Sequence, residues 1–339
     1  MKPLAVSNDP TSTEVPRSRL THRLAHRLAW TLACVVFPLI CVGGSVTTYR
    51  AGMAVPDWPN TFGYNLFLYP ISSWLAVWDV FLEHGHRLIG ATAGLVTIAL
   101  ALALWRGDRR PTVRWLGVLA LAGVCSQGLL GGLRVTGNAL FLAMVHGCTA
   151  PLVFVLITTL VALTSPAWRR PVQPAVRPGV RSHGTAALVA ASGIYLQIVL
   201  GAQLRHPGLG TAPGWFTLWV WLHVILAGLL AVAVVGLLPL TARRCPDQPM
   251  LVRRSRWLLG LFVLQAVLGA AAWITHYNWP VWFSEWFWKI EYTVVTGGRL
   301  QAVLTTAHVA VGSLNLAVAV SLVLWSKRLA RASPESSFP

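Results

Sequence analysis

The sequence predicts an all-α integral membrane protein with eight transmembrane helices in two pseudo-symmetric four-helix bundles. Three observations predict it. Hydrophobic residues make up 55% of the 339 and charged ones 11%, with a mean hydropathy of +0.61, which is too apolar for a soluble globular domain. Eight apolar runs reach the roughly 20 residues that a helix needs to cross a bilayer. Alternate runs carry recurring signatures, so the chain reads as four related hairpins.

In order, the spans lie near 28–48, 84–105, 114–133, 139–164, 185–204, 215–241, 256–274 and 300–325. Pro38 and Gly43-Gly44 interrupt the first and Pro151 falls in the fourth, which blurs their boundaries. A basic tail, 1–27, precedes them. The basic, Pro-containing segment 166–183 joins the halves 28–165 and 184–326, and 327–339 forms a second tail.

A net charge of +17 would suggest nucleic acid in a soluble protein, but its placement excludes that reading. The two tails, 106–114, 166–183 and 242–256 hold 21 of the 27 Lys and Arg residues. By the positive-inside rule both termini are cytoplasmic. The first apolar run is too long for a signal-peptide core and has no clear cleavage site, so it is expected to be retained. The tail's Arg, Ser and Thr content also fits an organellar presequence, but Asp9 and Glu14 argue against one. A bacterial inner membrane is the expected location. Four of the five cysteines lie within spans and Cys245 on the cytoplasmic side, which argues against a disulfide framework.

Odd spans share Gln127-Gly-Leu-Leu-Gly131-Gly132, Gln197-Ile-Val-Leu-Gly201-Ala202 and Gln265-Ala-Val-Leu-Gly269-Ala270, with a worn copy in Leu39-Ile-Cys-Val-Gly43-Gly44. Close helix packing is the reading of these small-residue pairs, ahead of a direct ligand role. Two external loops, 49–82 and 275–299, are long and aromatic. The first contains Pro56-Asp57-Trp58-Pro59. The second contains Trp279, Trp282, Trp286 and Trp288, at a spacing that suggests an interfacial helix.

Each even span carries one of four histidines, His86, His146, His223 and His308. A Gly or Ala follows four residues later on the same helical face, leaving room for a flat ring. All four lie roughly 8–15 Å below the outer surface. Polar groups at that depth are costly and usually functional. Zinc would draw Cys or carboxylate ligands into one tetrahedron, whereas haem iron needs only two axial ligands from facing helices. The repeat boundary pairs His86 with His146 and His223 with His308. One histidine per helix at a single depth favours local chemistry over conduction across the bilayer.

Only the first half adds a carboxylate, in Glu83-His84-Gly85-His86-Arg87, where Glu83 and His86 share a face. His84 points elsewhere and is read as a surface or gating residue. Arg50, Arg134 and Arg205 end odd spans, where they either snorkel to the interface or clamp porphyrin propionates.

Gly43-Gly44, Gly52-Met-Ala-Val-Pro56-Asp57-Trp58-Pro59, Glu83-x-x-His86-Arg87, the Gln-x-x-Leu-Gly helices and the later histidines together resemble the haem A synthase family, over nearly the whole chain. The resemblance implies an eight-helix enzyme that oxidises the C8 methyl of haem O to the formyl of haem A for terminal oxidases, by successive hydroxylation with oxygen from water. His86 and His146 would hold the substrate haem O, His223 and His308 a haem b cofactor with its iron, and Glu83 would be the catalytic carboxylate. The haem O synthase that supplies the substrate is an expected partner, alongside the lipid bilayer, and the family leaves room for a homo-oligomer. The electron acceptor is unknown. Two departures stand out: residues 49–82 lack the cysteine pair of some members, and Gly90-Ala91 replaces a Gly-Arg that many carry. Two other functions compete: a membrane haem carrier or exporter of the cytochrome c assembly type, and a two-haem electron-transfer subunit. Glu83 discriminates, because a carrier needs no carboxylate beside one ligand only.

Overall fold

The computed structural model of the protein describes residues 14–172, 179–208, 210–280, 285 and 294–332. Among them there is no strand, only one isolated bridge between Thr61 and Tyr64. The helices are α1 (Glu14–Thr48), α2 (Ile71–Ala76), α3 (Trp78–Gly107), α4 (Pro111–Thr136), α5 (Leu140–Thr164), α6 (Pro166–Arg169), α7 (Val180–Arg205), α8 (Pro213–Arg244), α9 (Pro249–Tyr277) and α10 (Arg299–Arg331). Among the described residues, all but α2 and α6 are long and apolar enough to cross a membrane, which makes eight. About half of the second aromatic loop, with Trp282, Trp286 and Trp288, lies outside the described residues.

Helices outrun the apolar runs that predict them. α1 starts at Glu14 rather than 28, α9 at Pro249 rather than 256, and α10 ends at Arg331 rather than 325. Once nucleated, a helix propagates through polar residues, whereas the apolar run marks only the hydrocarbon thickness. Pro111, Pro213 and Pro249 start their helices, where a missing N–H costs nothing. Pro38, Pro151 and Pro239 lie inside helices without ending them, as neighbouring helices permit within a membrane.

α1 and α4 each pack on α3 and α5, closing one ring of four; α7 and α9 each pack on α8 and α10, closing another. The rings meet where α10 lies against α1 and α5, and α5 against α7. This is consistent with two four-helix bundles. Each ring has its own buried apolar cluster, one around Leu32, Leu100, Leu104 and Leu160, the other around Ala187, Leu251, Leu258 and Leu322. Both clusters fill the end of the bundle nearest the chain termini, and the histidines occupy the opposite end.

The terminal face is tied by charge. Asp108 is buried between α3 and α4, where Arg110 binds both of its oxygens (2.9 and 2.7 Å) and Arg169 reaches it at 3.1 Å. Desolvation works against the carboxylate, but the hydrogen bonds and charges of Arg110, with the charge of Arg169, hold Asp108 below its ordinary 3.8. Arg328 of α10 lies over the rings of Trp168 and Trp325 and donates to the carbonyls of Ala167 and Arg170, fastening α6 to the second ring. A depressed carboxyl contributes stability above its unfolded value and loses it as pH falls through its folded value. Asp108→Asn therefore lowers the melting temperature in detergent at neutral pH, and its melting temperature falls less than that of the parent between about pH 6 and pH 3.

Candidate functional site

The structure brings the four histidines together as two pairs. The ring centres of His86 and His146 are 6.4 Å apart, and those of His223 and His308 are also 6.4 Å apart, with interplanar angles of 76° and 60°. Two imidazole nitrogens about 2 Å from a shared metal, with ring centres about 1 Å further out, stand about 6 Å apart centre to centre. Both pairs fit two axial ligands of one iron. Among the described residues no three His, Cys, Asp or Glu side chains come together, so no zinc-like ligand set is formed.

Each ring is positioned by the helix before its own. A Cβ built on Gly43 would lie 2.8 Å from His86 Cε1, on Gly131 3.6 Å from His146 Cε1, on Gly201 3.2 Å from His223 Cε1, and on Gly269 2.9 Å from His308 Cε1. The glycine of the odd-span motif is the seat of an imidazole edge. The residue four positions earlier orients the ring. His146 Nδ1 donates to the Gln127 carbonyl at 3.2 Å and His308 Nδ1 to the Gln265 carbonyl at 3.1 Å, while His86 and His223 face the equivalent carbonyls of Leu39 and Gln197 without completing the bond. Metal-binding histidines commonly anchor their second nitrogen in this way, leaving Nε2 for the metal. In the second pair, the Gln265 side-chain amide donates to His308 Nε2 at 3.3 Å, so a metal there displaces that amide.

Sequence reasoning looked for space on the histidine's own helix. Gly90 does face open space, but Gly312 is approached by the Gln265 side chain at 3.4 Å. The roles of Gly43, Gly131, Gly201 and Gly269 and of the Gln carbonyls were hidden in a motif read as packing. The repeated four-residue interval from Gln to Gly, matched to one histidine per following helix, was the signal for them.

Glu83 is buried, with both oxygens engaged: Oε2 accepts from the Val55 N–H at 3.0 Å and Oε1 from Arg87 at 2.8 Å. Arg87 also donates to the carbonyls of Asp57, Asn60 and Val55. Asp57 in turn accepts from the Phe62 and Gly63 N–H groups, both at 2.8 Å. Although desolvation opposes it, these bonds and the charge of Arg87 hold the Asp57 carboxyl below its ordinary value. The loop is thus bolted over the first pair. Trp58 covers Gly132 and the Arg134 guanidinium covers Gly52 so closely that neither glycine has room for a Cβ.

His84, read as a surface or gating residue, is not at the surface but buried. Its Nδ1 shares a 2.9 Å hydrogen bond with Thr61 Oγ1, and its ring lies between Tyr69 and Trp74. The uncharged 58–78 segment supplies the aromatic cover that an isolated His-Gly-His reading lacks. The three arginines part company. Arg134 stands at the first pair. Arg205 donates to the Gly44 carbonyl and to Thr48 Oγ1 (2.7 Å), crossing between the rings. Arg50 is exposed, in left-handed backbone, and its charge is felt by His276 of the second ring.

The glycine seats are unequal, which makes them testable. Gly43→Ala drives a methyl into His86 and costs about 1–3 kcal/mol, whereas Gly131→Ala meets His146 at ordinary contact distance and leaves stability within about 0.5 kcal/mol. Chemical denaturation in detergent measures both.

The COX15-CtaA model, described as cytochrome oxidase assembly protein, matches residues 26–217, a stretch that takes in Glu83, His86 and His146. The chain is similar to the heme A synthase of Shouchella clausii, 25% identical over 261 residues, covering 71% of this chain and 84% of that protein. It is 33% identical over 220 residues to the heme A synthase of Symbiobacterium thermophilum, covering 57% and 70%. The heme A synthase of Bacillus licheniformis is 24% identical over 262 residues, covering 71% and 83%. With more than half of its length matched and these relatives alongside, the chain belongs to the COX15-CtaA family of cytochrome oxidase assembly proteins, the family of the haem A synthases.

Proposed function

We propose that this protein is a haem A synthase of the bacterial inner membrane, with both termini in the cytoplasm, that oxidises the C8 methyl of haem O to a formyl group. The observation that carries this reading is an asymmetry. Two histidine pairs share one spacing, yet among the described residues only the first lies beside a buried carboxylate under a clamped loop. His86 and His146 hold the substrate haem O, and His223 and His308 hold haem b. The small residue after each histidine and the carbonyl behind each ring suit such a ligand.

The conversion replaces three methyl hydrogens by one hydrogen and one oxygen. Taken from water, that oxygen leaves four electrons and four protons to be removed. Haem b supplies one-electron chemistry for carrying electrons away. The chain's own part is acid–base work and positioning. Glu83 accepts a proton released at the methyl carbon or balances positive charge developing there; Arg87 and the Val55 N–H hold it in place. The loop over residues 52–63 limits bulk water at the pair, since Trp58 and Arg134 close on glycine with no gap. Haem O reaches the site from the enzyme that makes it.

Expression with a source of haem O, followed by pigment extraction and mass spectrometry, tests the reading. Formyl haem is expected. Bound haem without hydroxylated or formyl product overturns the synthase reading in favour of a carrier. Glu83→Ala is expected to keep haem b while product is lost or stalls at an alcohol; undiminished haem A removes Glu83 from the mechanism. His308→Ala is expected to lose the haem b spectrum, and an unchanged spectrum overturns the pairing.

A further inference from the structure

Among the described residues, Arg134 has no counter-charge of its own. Its guanidinium is seated on Gly52, and the acid whose field reaches it is Glu83, which is already bonded to Arg87 and Val55. Across the junction of the rings stands His206, directly after α7. Its Nε2 lies 3.9 Å from the position of a Cβ on Gly147, the residue that follows His146. The charges that act on His206 are those of Arg205, Arg134 and His146. Arg134 of α4 and the His206 ring beyond α7 therefore face one another near the first pair, and the acids of the clamped loop and of α3 that lie there, Asp57 and Glu83, have partners already. A half-buried cation left in this state is costly unless an anion joins it.

We propose that Arg134 and His206 form an anion subsite, built from both rings, that binds a carboxylate of the ligand held by His86 and His146: a porphyrin propionate. The proposal rests on the reading that a porphyrin occupies that pair. The guanidinium donates two parallel hydrogen bonds to the carboxylate, and the His206 ring donates one. Burial first, then Arg205, Arg134 and His146, push His206 down to about 4, so before the anion arrives it is a neutral ring with a single N–H. Gly147 leaves the space that a side chain would take from the incoming group. Arg205, whose Nη2 is committed to Gly44 and Thr48 of α1, is a positioning residue: it fixes the last turn of α7, and with it His206, over the neighbouring ring.

The test titrates the purified full chain in detergent with iron protoporphyrin IX and with its dimethyl ester, in which both propionates are blocked. It uses a His308→Ala background, so that a two-imidazole spectrum reports the first pair. The free acid is expected to bind about tenfold more tightly than the ester, the value of one charge-assisted contact. Arg134→Gln and His206→Ala are each expected to shrink that preference and together to abolish it, with binding of the ester unchanged; His206→Gln, which keeps a donor, is expected to restore part of it. The unsubstituted chain, titrated in parallel, shows the same preference over its first equivalent of two-imidazole binding, which guards against misfolding of the variants. A two-imidazole spectrum with equal affinity for acid and ester, or a preference that survives the double substitution, overturns the subsite. Absence of any two-imidazole spectrum for the first pair in either chain overturns instead the porphyrin reading beneath it.

Discussion

Everything at the far end of the two rings depends on one contact, the edge of an imidazole against a glycine on the preceding helix. It occurs four times. A ring seated there cannot move toward the preceding span, and the carbonyl one turn earlier faces its Nδ1, which leaves Nε2 for another partner. Because the seat is backbone, it adds no side-chain entropy to the ordering of the ligand. Two rings built in the same way then give two pairs at the same 6.4 Å spacing.

What separates the halves is the second residue of each motif. In the first half it is a glycine, and both copies are approached closely from outside the motif: Gly44 by Thr306 of α10, at 3.0 Å from a built Cβ, and Gly132 by the Trp58 ring. In the second half it is Ala202 or Ala270. The Gly-Gly pair therefore seats two groups, a histidine within the ring and a neighbour beyond it. The clamped loop and the crossing of the rings exploit the same small-residue step that sheet-free membrane proteins use for helix packing. The buried carboxylate is held in the same framework, since Val55, which binds it, lies between Gly52 and Trp58.

Much of this was legible in the sequence. The eight spans followed from hydropathy because a bilayer fixes helix length, and the histidines from the expense of polar groups at depth. Helix ends were less legible, since Arg and Thr continue a helix as readily as Leu does outside the hydrocarbon. The burial of His84 was illegible for a different reason: its cover, Tyr69 and Trp74, comes from a stretch without strand or helix periodicity, and only the fold reveals which loop residue lands on which helix. His206 was passed over because it follows a span, and Pro207 breaks the helix that would bring Gly210, four residues on, to its face. Its neighbourhood is formed by Gly147, from the other half of the chain.

The contact between the rings has an energetic character of its own. Toward the histidine end it consists of Gly44 against Thr306, Gly147 near His206, and one arginine on a backbone carbonyl. Lipid tails solvate apolar surface as well as another helix does, so such a junction gains almost nothing from expulsion of solvent and relies on shape and on single polar bonds. The second four helices expressed alone would leave the Arg205 guanidinium without the Gly44 carbonyl and the Thr48 hydroxyl that accept from it. The whole chain, rather than the half that its repeats suggest, is the smallest unit in which Arg205 finds those partners.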